Sequence, residues 1–183
     1  MYLHKILLLL PLVGLISCSA NPIGSKPVGQ PFTAGTIRLG GDLGYSSNGT
    51  GTMNGDAAHL NGNAGYFVTD IIELGGSINI EDVNRKDGLS DLEGVFFNLY
   101  GRAYSTSIGP FRTFAELGAG VGTVDAGAAD ADVQLVQVSI GMMEFITDSI
   151  SVELALEETL YLFDSPAVDG NGLALNLGVS MFL

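Results

Sequence analysis

From Thr36 to Leu183 the chain falls into eight stretches in which apolar residues recur at every second position. This is the period of an extended strand with one greasy face. The clearest stretch is the last. Leu173, Leu175, Leu177, Val179, Met181 and Leu183 share one face, and Ala174, Asn176, Gly178, Ser180 and Phe182 share the other. The same reading predicts strands over 36–45, 59–68, 72–81, 95–104, 111–123, 133–146 and 150–162. Thr69-Asp70 and Thr147-Asp148 read as tight turns. Residues 46–58, rich in Gly, Asn and Thr, read as a loop, as do 82–94, 124–132 and 163–171. Connections therefore alternate, short after even-numbered strands and longer after odd-numbered ones. The hairpin from Phe67-Val68-Thr69-Asp70 into Ile72-Glu73-Leu74 is echoed by Phe145-Ile146-Thr147-Asp148 into Val152-Glu153-Leu154.

An amphipathic strand lays its apolar face on a protein core or on lipid, and the charges decide between them. Arg38, Asp42, Glu73, Arg102, Arg112, Glu116, Glu153 and Glu157 all lie opposite the apolar face. In a soluble lipocalin-like barrel they would face water around an apolar interior. In a membrane barrel the pattern turns inside out, and they become a network of partly buried ion pairs plugging the lumen. Eight strands enclose just enough space for side chains to fill. The long-loop, short-turn alternation is that of outer-membrane barrels and places both termini on the periplasmic side. The expected fold is thus all-β, an eight-stranded antiparallel up-and-down transmembrane barrel. Glu144 and Glu158 break the outward pattern: Glu144 stands next to a turn, and Glu158 suggests a bulge or a protruding rim.

Composition narrows the remaining classes. The 183 residues carry a formal net charge of −13, which argues against a basic nucleic-acid surface. One cysteine, Cys18, excludes an intrachain disulfide and a multi-cysteine metal site; two histidines exclude a histidine-rich one. Lys5 followed by the apolar run 6–17 reads as a signal peptide, too short to span a bilayer as a helix. Leu15-Ile16-Ser17-Cys18 has the form of a lipobox with Cys18 lipidated. Cys18-Ser19-Ala20 offers cleavage after Ala20 instead. The expected organisation is a signal peptide over 1–20, a flexible leader rich in Pro and Gly over 21–32, and the barrel over 33–183.

The Gly65–Gly75 hairpin (G-Y-F-V-T-D-I-I-E-L-G) and the alternating C-terminal strand resemble those of the small eight-stranded outer-membrane barrels. That superfamily includes the transmembrane domain of outer-membrane protein A and related porin-family proteins. The resemblance covers Thr33 to Leu183. It implies that Leu175, Leu177, Val179, Met181, Phe182 and Leu183 form the signal read by the barrel-assembly machinery, with Phe182 penultimate where such signals usually end in Phe. It also implies outer-membrane lipid and lipopolysaccharide as surroundings, and a monomer.

Catalytic chemistry finds little footing. Glu153 and Glu157 lie four apart on one strand face, roughly 13 Å along the chain, too far to share a proton. Lipid A deacylase and palmitoyltransferase barrels are similar in size and depend on a His and a Ser. Here His59 stands without a His-x-Ser pairing. The acidic groups Asp125, Asp130 and Asp132, and Glu81, Asp82 and Asp87, lack the spacing of a calcium loop and read as solvated charges. Gly118, Gly120 and Gly122 read as relief of crowding inside the barrel. The expectation is a non-enzymatic integral outer-membrane protein without metal or cofactor, serving envelope integrity or adhesion. The alternatives are a lipid-anchored or periplasmic lipocalin-like binder of an apolar ligand, a lipid A-modifying enzyme and a narrow channel.

Overall fold

A computed structural model describes residues 32–50, 55–85, 91–105, 111–125, 130–163 and 170–183. Cys18, both cleavage readings, the leader up to residue 31 and Asp87 lie outside the described residues. Eight strands run β1 (Ile37–Thr50), β2 (Gly55–Phe67), β3 (Ile72–Arg85), β4 (Leu92–Tyr104), β5 (Phe111–Asp125), β6 (Asp130–Phe145), β7 (Ile150–Phe163) and β8 (Gly170–Phe182). Each pairs antiparallel with the next, and β8 pairs with β1 to close the barrel. The last residue completes the seam: Ile37 N donates to Leu183 O at 3.1 Å, and Leu183 N donates to Ile37 O at 2.9 Å.

The register sets the barrel's shape. From Leu43, paired residues lead through Leu60, Ile80, Val95 and Thr123 to Asp132 on β6. In the other direction they lead through Leu177 and Leu154 to Met142, also on β6. The two arrivals differ by ten residues, Asp132 to Met142. That stagger tilts the strands by roughly 40° and leaves an interior that side chains can fill.

The alternation resolves with the apolar face outside. Leu175, Leu177 and Val179 are 57%, 60% and 54% exposed, whereas Arg38 and Glu73 are each 0% exposed. Tyr45, Tyr66, Phe97 and Phe111 also face outward. The outward apolar run of β8, Leu173 to Leu183, is about the length that crosses a hydrocarbon layer as a tilted strand. A lipocalin-like interior is overturned by this inversion: the lumen holds the charges.

The two kinds of turn differ from expectation. Connections of four to six residues occur at both ends (51–54, 68–71, 86–91, 105–110, 126–129, 146–149, 164–169). Much of the stretches expected as long loops is strand, because the ladder continues where the outer face turns polar and Ala57, Val83, Leu92 and Val124 are buried on the inner face. The asymmetry survives as polar strand ends projecting beyond the apolar belt. There Asp82 is paired with Glu93, Glu93 with Asp125, and Asp125 with Asp130. The Thr-Asp turns match as the repeated hairpin predicts. Thr69 Oγ1 accepts from Ile72 N at 3.0 Å, and Thr147 Oγ1 accepts from Ile150 N at 3.0 Å.

Phe32, assigned to the leader, is 2% exposed and stacks on Phe67 at 4.8 Å between ring centroids. Glu158 faces outward, half-buried, with no bulge: the ladders to Val138 and Leu173 run through it unbroken.

Candidate functional site

Among the described residues the fold gathers its charged and polar side chains in the lumen, which is stacked in three tiers. At the end bearing the Thr-Asp turns, Phe32, Phe67, Tyr104, Phe114, Met143 and Phe182 form an apolar plug, with Phe145 and Ala155 packed against it. At the other end Ala57, Val83, Leu92, Phe96, Val124, Val133, Leu135 and Tyr161 form a second. The charged residues occupy the space between. Burying them away from both mouths strengthens each attraction but makes any unmet partner costly.

Glu73 is the hub of the lower middle. Arg38 Nε donates to its Oε1 at 3.0 Å and its Oε2 at 3.1 Å. Tyr100 Oη donates to Oε1 at 2.8 Å, and Tyr104 Oη donates to Oε2. Arg38 spends its remaining donors on Ser180 Oγ at 2.9 Å and Tyr100 Oη at 3.0 Å. Its Nη1 also stands 3.6 Å from Glu153 Oε1. Room for this cluster comes from glycine: a Cβ on Gly65 would collide with the Glu73 carboxylate, and one on Gly75 with the Tyr100 ring.

Arg102 carries the network across the lumen. Its Nε donates to Glu116 Oε2 at 2.6 Å and its Nη1 to Glu153 Oε2 at 2.9 Å. Its guanidinium also lies 4.2 Å from the centroid of the Phe114 ring, a cation–π contact. The cross-strand row Glu73, Arg102, Glu116, Ser139, Glu157 explains the placement: these residues are paired in turn from β3 to β7. Glu157 is bound by neutral donors, Asn176 Nδ2 at 3.2 Å and Thr159 Oγ1 at 3.3 Å. Asp42 Oδ2 accepts from Asn61 Nδ2 at 3.0 Å, and Asp42 Oδ1 stands 3.8 Å from His59 Nε2.

Seven of the eight charges named from sequence therefore line one polar tier. Arg112 does not join it. It lies lower, its guanidinium 4.4 Å from the centroid of the Phe32 ring, within the apolar plug. His59 lies inside β2, buried in the lumen rather than at a loop edge. Glu81, read as a solvated loop charge, is instead buried in the lumen and accepts from Tyr161 Oη at 2.8 Å, whereas Asp82 is exposed on the opposite face of β3. Among the described residues, no group of three or more His, Cys, Asp and Glu side chains is close enough to hold a metal. Parity put the phenols, the Ser180 hydroxyl and the amides of Asn61 and Asn176 inside. It did not say which of them would meet the charges, since that depends on the ten-residue stagger.

No family model matches the chain, and no curated protein matches it in sequence. Solved structures match its fold. Neisserial surface protein A superposes with a TM-score of 0.65 at 9% identity, over 81% of this chain and 97% of that one. Ail, the attachment invasion locus protein of Yersinia pestis, gives 0.51 at 11% identity, over 82% and 100%. The outer-membrane enzyme PagL gives 0.54 at 11% identity, over 79% and 98%.

Proposed function

From the fold of a small outer-membrane barrel, we infer that this chain is a non-enzymatic integral protein of a bacterial outer membrane. It acts as a rigid anchor that supports the envelope and presents its polar strand ends and their connections for contact outside. The observation that carries this reading is the three-tiered lumen. Two apolar plugs enclose an ion-pair tier, so the interior serves to hold the wall rigid rather than to pass a solute. The Ail likeness agrees with a surface role at the level of fold. In this orientation the Thr-Asp turns face the periplasm, and the carboxylate row from Asp82 to Asp130 lies at the outer surface. Leu175 to Leu183 serve as the signal for the barrel-assembly machinery, and lipid and lipopolysaccharide surround a monomer.

The test compares a strain lacking the gene with one carrying a chain whose outer connections are cut to minimal turns. Insertion is read by heat-modifiable gel migration of the outer-membrane fraction. Full insertion of the trimmed chain, together with loss of adherence or of detergent resistance, is the expected result. Altered lipid A masses on expression, or steady conductance in a planar bilayer, would overturn the reading in favour of an enzyme or a channel.

A further inference from the structure

Beside Arg102, in the polar tier, lies a chamber of about 20 Å³, enough for one occupant the size of a water molecule or small ion. Asp42, Asn61, Asn63, Glu116, Glu157 and Asn176 contribute to its wall, with Arg102 and Glu153 on its lower side. Five oxygens from this wall are sealed from solvent and short of hydrogen-bond donors: Asp42 Oδ1, Asn61 Oδ1, Asn63 Oδ1, Glu153 Oε1 and Asn176 Oδ1, the last with the His59 imidazole beside it. Asn176 is 6% exposed.

Two of the amides cannot be turned to hide the deficit. Asn176 Nδ2 donates to Glu157 Oε2 and Asn61 Nδ2 donates to Asp42 Oδ2. Flipping either would set an amide oxygen against a carboxylate oxygen. The unmet atoms of Asp42, Asn61 and Asn176 are therefore acceptors, and what they lack is a donor or a cation.

Charge points the same way. Arg38 and Arg102 stand against Asp42, Glu73, Glu116, Glu153 and Glu157, two cations to five carboxylates, leaving an excess of three negative charges. A charged His59 beside Asp42 would still leave two. Excess charge of this kind is not stable between two apolar plugs without a counter-ion or protons. The donor set is all oxygen, part carboxylate and part neutral amide, which suits a hard cation. The lack of a close cluster of three carboxylates or imidazoles among the described residues disfavours a transition-metal or calcium cage.

We propose that this chamber binds a single monovalent cation of the sodium class, held by Asp42, Asn61 and Asn176. These residues come from β1, β2 and β8, so the ion ties the first strand to the last across the seam that closes the barrel. It goes beyond the anchor role, because the ion stabilises the wall without passing through it.

The test measures thermal unfolding of the full folded chain in detergent micelles at constant ionic strength. Sodium chloride is compared with choline chloride, whose cation is too large for the chamber. The expected result is a midpoint about 5 °C higher in sodium. The difference should vanish in Asp42→Asn, which keeps the side-chain shape, and persist in Glu93→Gln, which lies outside. Equal midpoints in the two salts would overturn the proposal. So would a stability that follows pH but ignores the cation, or a sodium effect undiminished in Asp42→Asn. If Asp42→Asn fails to fold, crystals of the unaltered chain soaked in thallium(I) decide. An anomalous peak beside Asp42 supports the site, and its absence there refutes it.

Discussion

Arg38 shows what one buried charge does in this lumen. Four acceptors or counter-charges depend on it: Glu73, Ser180, Tyr100 and Glu153. Arg38→Met fits the space but leaves Glu73 a buried carboxylate held only by phenols. Breaking such a pair costs about 3–5 kcal/mol. The expected result is a matching drop in denaturant stability in micelles. Arg38→Met/Glu73→Leu should cost less than the sum of its parts, as a double-mutant cycle would reveal. Glu158 is the opposite case. It faces the lipid belt between Leu156 and Leu160, opposite Leu173 and Val138. Glu158→Leu is expected to raise stability by about 1 kcal/mol in the same assay, because a charge on the lipid face is unfavourable.

At the scale of elements, the hairpins and the closing strand do separate jobs. The Thr69 and Thr147 hydroxyls cap the same backbone position in two hairpins four strands apart. Thr147→Val removes one such hydrogen bond and should cost about 1 kcal/mol, with the barrel still formed. The closing strand tolerates far less. β8 turns Leu177 and Val179 outward while pairing with both β7 and β1. Leu177→Asp/Val179→Asp places two carboxylates in the hydrocarbon belt, and the expected outcome is no heat-modifiable species in the outer-membrane fraction. Normal levels of that variant would contradict a lipid-facing β8. Phe182 points the other way, into the turn-end plug, so one strand contributes to both the exterior and the core.

At the scale of the whole molecule, rigidity and closure are one property. A stagger of ten residues over eight strands brings residues distant in sequence into one tier, such as Arg38 with Ser180 and Arg102 with Glu153. Apolar plugs above and below keep that tier away from bulk water. The purified chain is therefore expected to leave a planar lipid bilayer without steady conductance. Opening the turn-end plug alone by Phe32→Ala should not create conductance, because the tier above it and the second plug stay in place.

Strand number, strand order, the facing of each side chain and the inverted placement of charge were all legible in the chain, because a period of two assigns every residue to a face. The charge on the inner face then decided that the apolar face lies outside. The polar stretches 46–50, 55–58, 82–85 and 92–94 were not legible as strand. Beyond the apolar belt the polarity inverts: Ala57, Val83 and Leu92 turn inward to the second plug while Asp82 and Glu93 turn outward, so the apolar-outside alternation is lost while the ladder continues. Nor did alternation predict that Phe32 enters the lumen, that Arg112 leaves the ionic tier for an aromatic ring, or that Asp42 and Asn176 share a chamber. Those follow from the barrel's stagger, a property of how eight strands close on one another rather than of any one of them.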